Sequence, residues 1–188
     1  MNGLINHVAA GLAGALRLAR FDNSGMAFFE INLNGFWRSF WAAGLVAPLF
    51  LLLLVLRQLD APGGAFGHHI IIESLAYVIA WVMFPLVMAS LSKQLGCAKH
   101  YISFIIAYNW CGAIQNGVYL PIAILGYTGA LSSGLANLFA LAAIIWVLVY
   151  TFFVARTALQ VPPVTAFGIV VLDLVLGLTI DVVTNKFL

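Results

Sequence analysis

Five long apolar runs restrict what this chain can fold into: Phe36–Leu56, Ile70–Leu91, Tyr101–Leu125, Leu135–Val154 and Val164–Val183. Each meets the length of about 20 residues that an α-helix needs to cross the hydrocarbon core of a bilayer. Since 64% of the residues are hydrophobic and only 7% are charged, polar surface cannot cover these runs in water. The alternating pattern of a transmembrane β-barrel is absent from the sequence. We therefore predict an all-α, polytopic transmembrane helical bundle with five spans.

The basic residues predict how the bundle is oriented. If the N-terminus is cytoplasmic, six of them lie inside and two lie outside: Arg17, Arg20, Arg38, Lys93, Lys99 and Arg156 against Arg57 and Lys186. Because short cytoplasmic loops carry the excess of Lys and Arg, this bias predicts a cytoplasmic N-terminus and an external C-terminus. The expected location is a bacterial inner membrane.

Residues 1–34 are expected to form an interfacial region that precedes a transmembrane domain of residues 35–188. Apolar residues recur at helical spacing near the N-terminus, namely Leu4, Ile5, Val8, Leu12, Leu16 and Ala19. This pattern favours an amphipathic helix that lies along the cytoplasmic surface of the membrane. The alternative is a weakly ordered tail, because Gly3, Gly11 and Gly14 lower helix propensity.

The start of the first span carries residues typical of a membrane boundary. Asn34 is predicted to cap the helix, since its side chain can accept a backbone hydrogen bond there. Trp37, Arg38 and Trp41 follow within one or two turns. Amphipathic rings and an Arg at this position predict an interfacial anchor.

Asp173 is the residue that most needs a structural explanation, because it lies near the middle of the fifth run. Burying a lone carboxylate there costs at least about 2.5–3.5 kcal/mol, so it must be protonated, partnered or facing water. The third run supplies polar residues that recur mostly at spacings of three and four, which places them on one face of a helix. We predict a polar seam between the third and fifth spans, made of Asn109, Gln115, Asn116, Tyr119, Asp173 and Asp181.

Asn109 and Asp173 lie at similar depth, about 12–14 Å from the cytoplasmic side at the helical rise. Asn109, or a neighbour on the third span, is therefore the predicted partner of Asp173. Two interpretations of the polar seam remain. It could hold helices together by hydrogen bonds, or it could conduct a proton, ion or small solute with Asp173 as the protonatable step. We favour the first, because the polar seam has no second charge at mid-membrane.

Other chemistries lack support in the sequence. No pairing of a nucleophile with a base and no Gly-rich phosphate loop is present, so we predict no catalytic residues. His68, His69 and Glu73 could approach a metal with Asp60, but an ion pair at headgroup level is the favoured interpretation, and no metal is predicted. No His lies at mid-depth to bind a haem, and no cofactor is expected. Scattered basic residues and a net charge of +2 exclude a nucleic-acid partner.

The last two spans resemble those of the Yip1 family of membrane proteins. The similarity rests on the apolar Leu138–Val154, the Arg-bearing turn at 155–163 and the small-residue-rich Thr165–Leu178. The runs at 35–40 and 107–110 are also similar to those of small bacterial inner-membrane proteins. The resemblance implies a non-enzymatic membrane-organising or accessory protein.

From these observations we expect a non-enzymatic integral membrane protein, an accessory subunit that acts through helix contacts. Its partners would be membrane lipids and other membrane protein subunits, or further copies of itself. The alternative is a small transporter or channel component that uses the polar seam. A continuous wet cavity along the polar seam would favour transport, whereas dry, paired side chains would favour the accessory role.

Overall fold

The computed structural model of the chain describes residues 2–60 and 66–188, and its elements are all helical. These two ranges contain seven α-helices: α1 Asn2–Ala19, α2 Leu33–Ser39, α3 Trp41–Asp60, α4 Phe66–Gln94, α5 Tyr101–Tyr127, α6 Ser133–Leu159 and α7 Pro163–Thr184. Two short 3₁₀ turns, Asn23–Phe28 and Ala98–His100, lie between them. The prediction of an all-α helical bundle is confirmed.

Within the described residues, four segments are long and apolar enough to cross a membrane: Leu33–Gln58, Gly67–Gln94, Ser133–Leu159 and Pro163–Thr184. They correspond to four of the five predicted spans and identify an integral membrane protein. The remaining predicted span, α5, has 27 residues and is therefore about 40 Å long. It is long enough to cross a bilayer but carries three amide side chains near its middle, Asn109, Gln115 and Asn116, and its crossing stays a prediction.

α5 is the central helix of the bundle. It packs against α1, α2, α3, α4 and α6, while α7 packs against α4 and α6. A continuous stretch in its first half is fully buried, including Phe104, Ile105, Ile106 and Ala107. Because protein surrounds α5 on most sides, its polar groups can find partners without facing lipid.

The N-terminal residues form the helix α1, which favours the predicted helix over a weakly ordered tail. The apolar stripe of α1 is divided, because Val8, Leu12 and Ala19 pack against the core of the bundle and the others do not. Ala15 and Leu18 are fully buried against the bundle, whereas Leu4, Ile5 and Leu16 are exposed. Gly11 and Gly14 are buried on the same side, where α1 packs on α5 and α6. Its position along the membrane surface stays a prediction.

The first span begins earlier than its apolar run indicates. Asn32, not Asn34, is the N-cap of α2, and its Oδ1 accepts a hydrogen bond from the Gly35 backbone N at 2.8 Å. Asn34 lies within the first turn of α2, so the prediction of an Asn34 cap is wrong. Asn32 takes that place because its extended backbone turns its side chain toward the free N–H groups of the helix.

Candidate functional site

Asp173 has a partner on α5, but that partner is Tyr108 and not Asn109. The Tyr108 hydroxyl donates a hydrogen bond to Asp173 Oδ1 at 2.7 Å. Adjacent residues of a helix point about 100° apart, so Tyr108 and Asn109 cannot both face α7. Tyr108 has the longer side chain and reaches the carboxylate.

Asn109 contacts a different helix. It is fully buried, and its Nδ2 donates to Ser39 Oγ of α2 at 2.8 Å. Ser39 in turn donates to the Phe36 carbonyl at 2.7 Å. This pair therefore ties α5 to the short helix at the start of the first span.

The other amides of the polar seam also have partners of their own. Gln115 Nε2 donates to Thr151 Oγ1 of α6 at 3.0 Å, and Asn116 Nδ2 donates to the Gly112 carbonyl at 2.9 Å. The polar residues of α5 thus contact α2, α6 and α7, where one shared face was predicted. Spacings of three and four drift around a helix over several turns, and α5 has neighbours on most sides.

A cavity of about 410 Å³ lies between α3, α4, α5 and α7, toward the end of the bundle where α3, α5 and α7 end and α4 begins. We call it the polar cavity. Four residues of the polar seam line it: Gln115, Asn116, Tyr119 and Asp181. Asn109 and Asp173 are not among its lining residues. Tyr108 connects the two regions, because it lines the cavity and also binds Asp173.

The polar cavity also contains residues that the sequence did not assign to a site. Arg57 comes from the last turn of α3 and Glu73 from the second turn of α4, and Tyr77 and Trp81 come next along α4. One signal in the sequence could have predicted that Arg57 and Glu73 lie close to Asp181. With short loops between antiparallel spans, Arg57, Glu73 and Asp181 all fall at the same end of the bundle.

Tyr108 marks the inner end of the polar cavity. The ring of Phe84 lies 4.5 Å from the Tyr108 ring, centroid to centroid, and that of Phe104 lies 5.9 Å away. Both phenylalanines are buried. Neither Asn109 nor its partner Ser39 lines the polar cavity, and Asp173 does not line it either, so the cavity does not follow the whole polar seam.

Comparison with protein-family models, with curated proteins and with solved structures found no match. The resemblance to the Yip1 family therefore stays a prediction. The function is inferred from the residues and their geometry alone.

The predicted interface anchors lie on the outside of the bundle. Trp37 is 70% exposed and Trp41 is 55% exposed, next to the junction of α2 and α3. Arg38 Nη1 lies 3.7 Å from Glu30 Oε2, and His7 Nδ1 lies 3.5 Å from the same oxygen. A hydrogen bond from Asn32, and then the charges of Arg38 and His7, hold the pKa of Glu30 below its usual range. Glu30 thus stays charged beside both basic groups.

Metal-binding residues do not cluster within 2–60 and 66–188, where no group of three or more His, Cys, Asp or Glu side chains could hold an ion. The Asp60 side chain, considered from the sequence as a fourth ligand beside His68, His69 and Glu73, lies outside the described residues. Glu73 instead lines the polar cavity.

Proposed function

We propose that this chain is a non-enzymatic integral membrane protein, a membrane-organising or accessory subunit that acts through helix contacts with lipids and with other membrane proteins. The observation that carries the proposal is the pairing of its buried polar groups. Tyr108–Asp173, Asn109–Ser39 and Gln115–Thr151 each join two helices. Side chains engaged in this way stabilise a bundle and are not free for turnover of a substrate.

The outer surface supports contacts with lipids or partner helices. Large apolar side chains are exposed along α4, α6 and α7, for example Leu86 at 65%, Leu138 at 59% and Leu178 at 55%. In a bilayer these groups meet acyl chains or another helix. The proposed setting is a bacterial inner membrane, with the N-terminus cytoplasmic and the C-terminus outside.

Co-purification tests the accessory role. The full chain, tagged and expressed at native level, would be extracted in a mild detergent and again in a polymer that retains surrounding lipid. We expect it to elute with defined membrane proteins, or as a defined self-assembly, in both media. Elution as a lone monomer in both would contradict the proposal.

A small transporter or channel component is the second candidate, and the polar cavity is the observation that favours it. Arg57, Glu73 and Asp181 give a solute charged groups to bind near one membrane surface. The Phe84–Phe104–Tyr108 cluster at its inner end favours a closed pocket over a through-path. Solute flux into proteoliposomes that stops in Asp173→Asn would support transport over the accessory role.

A further inference from the structure

The charged side chains of the polar cavity form no ion pair with one another in the described part of the chain. Arg57, Glu73 and Asp181 all line the cavity. They come from three helices, α3, α4 and α7, whose corresponding ends meet at one side of the bundle. One cation and two anions around an open volume fit a ligand with one negative group and one positive group.

Aromatic rings complete the wall of the polar cavity. Tyr77, Trp81 and Tyr119 line it, and the Tyr77 and Trp81 rings lie 6.2 Å apart. Ring faces attract organic ammonium groups, and Trp does so most strongly. Two carboxylates beside these rings therefore favour an ammonium group, while Arg57 favours a phosphate, whose geometry suits a guanidinium.

An apolar groove adjoins the polar cavity on the lipid-facing side. It has a volume of about 440 Å³, and its lining is almost entirely apolar, from α4, α7 and Phe187 beyond the end of α7. Ala76 and Ile180 belong to the linings of both the groove and the polar cavity. The polar cavity, which suits charged groups, therefore continues past Ala76 and Ile180 into the groove, which suits hydrocarbon.

We propose that the polar cavity and the apolar groove together bind one phospholipid with a zwitterionic, amine-bearing headgroup. Arg57 contacts its phosphate, Glu73 and Asp181 contact its ammonium beside the aromatic rings, and one acyl chain occupies the groove. This inference deepens the proposed lipid contacts and rests on them.

An anionic phospholipid without an ammonium fits the site less well. Its headgroup would leave two carboxylates facing its own negative charge, with only Arg57 to offset them. The headgroup without acyl chains also fits less well, because it would leave the groove without an occupant. The proposal therefore predicts a preference for the zwitterionic lipid over both alternatives.

Lipid titration with detection by native mass spectrometry tests this on the full chain in detergent. The probes are phosphatidylethanolamine, phosphatidylglycerol with the same acyl chains, and free phosphorylethanolamine. We expect the wild-type protein to bind phosphatidylethanolamine about tenfold more tightly than phosphatidylglycerol, equivalent to about 1.4 kcal/mol. The proposal would be overturned if the wild-type protein bound the two lipids equally tightly. It would also be overturned if free phosphorylethanolamine bound as tightly as phosphatidylethanolamine.

Three variants separate the contacts. Glu73→Gln combined with Asp181→Asn should remove the preference between the two lipids while phosphatidylglycerol binding is kept. Arg57→Gln should weaken binding of both lipids. Arg156→Gln is the matched control, because Arg156 is an exposed arginine at the opposite end of the bundle. Preserved lipid preference in the carboxylate double variant would contradict the assignment.

The two proposals fail separately. If only the lipid site is wrong, the protein shows no lipid preference but still co-purifies with its protein partners. Thermal unfolding shows in that case that the protein is folded. Absence of protein partners together with an intact lipid preference would instead contradict the accessory role.

Discussion

Several polar side chains inside the bundle each bind a different helix. Asp173 is bound by Tyr108, and Asn109 binds Ser39. In hydrocarbon, no water is available to form a hydrogen bond with an unpaired polar group. Such pairs therefore favour one arrangement of the helices. At residue scale, pairing explains how a sequence this apolar tolerates a mid-membrane carboxylate.

The Tyr108–Asp173 pair predicts a graded mutational response. Asp173→Asn keeps an acceptor oxygen of nearly the same shape, so the melting temperature in detergent should change little. Asp173→Leu leaves the Tyr108 hydroxyl unpaired and should cost about 1–3 kcal/mol. In a Tyr108→Phe background the same Leu substitution should cost less, with a coupling energy of about 0.6–1.7 kcal/mol. A folded Asp173→Asn protein that loses its partners would instead indicate a proton or cation site.

His7 predicts a pH dependence of stability. Burial lowers the pKa of His7 below 6.5, although the Glu30 charge opposes this and Arg38 adds to it. Its Nε2 is buried without a hydrogen-bond partner within the described part of the chain, so protonation would place an N–H there with no acceptor. The unfolded chain takes up this proton at higher pH than the folded one, so stability falls as pH drops below about 6.5.

Thermal unfolding in detergent at about pH 7.5 and about pH 5.5 checks this, since a free His titrates between them. The wild-type melting temperature should fall more over this interval than that of His7→Gln. The pKa of Glu30 is lowered from 4.5, so its contribution to the free energy of unfolding is lost only below this pH interval. Equal falls in both proteins would assign the dependence to other groups.

At the scale of elements, glycines attach α1 to the bundle. A Cβ on Gly11 would overlap the indole of Trp110, and one on Gly14 would lie 2.8 Å from the Gly25 carbonyl oxygen. The Tyr150 hydroxyl donates to the Ala15 carbonyl at 2.5 Å. Two of the glycines that weaken the intrinsic helix propensity of α1, Gly11 and Gly14, therefore allow it to pack on the bundle.

Gly11→Leu should release α1 from α5. The larger side chain cannot fit against Trp110, so backbone amides of α1 should exchange hydrogen for deuterium about tenfold faster, while α5 and α6 keep their protection. Gly3→Leu is the matched control, because nothing lies within 4 Å of a Cβ there. Equal exchange in both variants would show that this contact does not hold α1.

At the scale of the whole molecule, the number of crossings depends on α5. Among the described residues four segments meet the length and hydropathy of membrane spans, and α5, with Asn109, Gln115 and Asn116 near its middle, is not one of them. A central helix contacts protein instead of lipid over most of its surface, which relaxes the requirement for apolar side chains. If α5 crosses, its two ends face opposite sides of the membrane.

Cysteine labelling in intact cells tests the crossing and the orientation. Ser132→Cys, after the end of α5, should react with an impermeant maleimide, whereas Lys93→Cys, before its start, should react only after the membrane is opened. The native Cys97 and Cys111 are both buried, so the unmutated chain is a low-background control. Labelling of both positions from the same side would contradict a crossing by α5, and labelling of Lys93→Cys from outside would contradict the orientation.

The amino-acid sequence alone was enough to predict the helices, their location in a membrane and the need for a partner at Asp173. These properties come from run length, hydropathy and the cost of a buried charge, all of which depend on residues near in sequence. Even so, the cap at Asn32 was missed, because a cap depends on backbone geometry just outside the apolar run.

Tertiary structure alone decided which groups meet. Asp173 pairs with Tyr108 and not with its neighbour Asn109, because the rotation of α5 relative to α7 determines which residue points at the carboxylate. Arg57, Glu73 and Asp181 line one cavity because three helix ends converge there. Helical periodicity gives a residue's angle on its own helix, but the angle between two helices is set by the packing of the whole bundle.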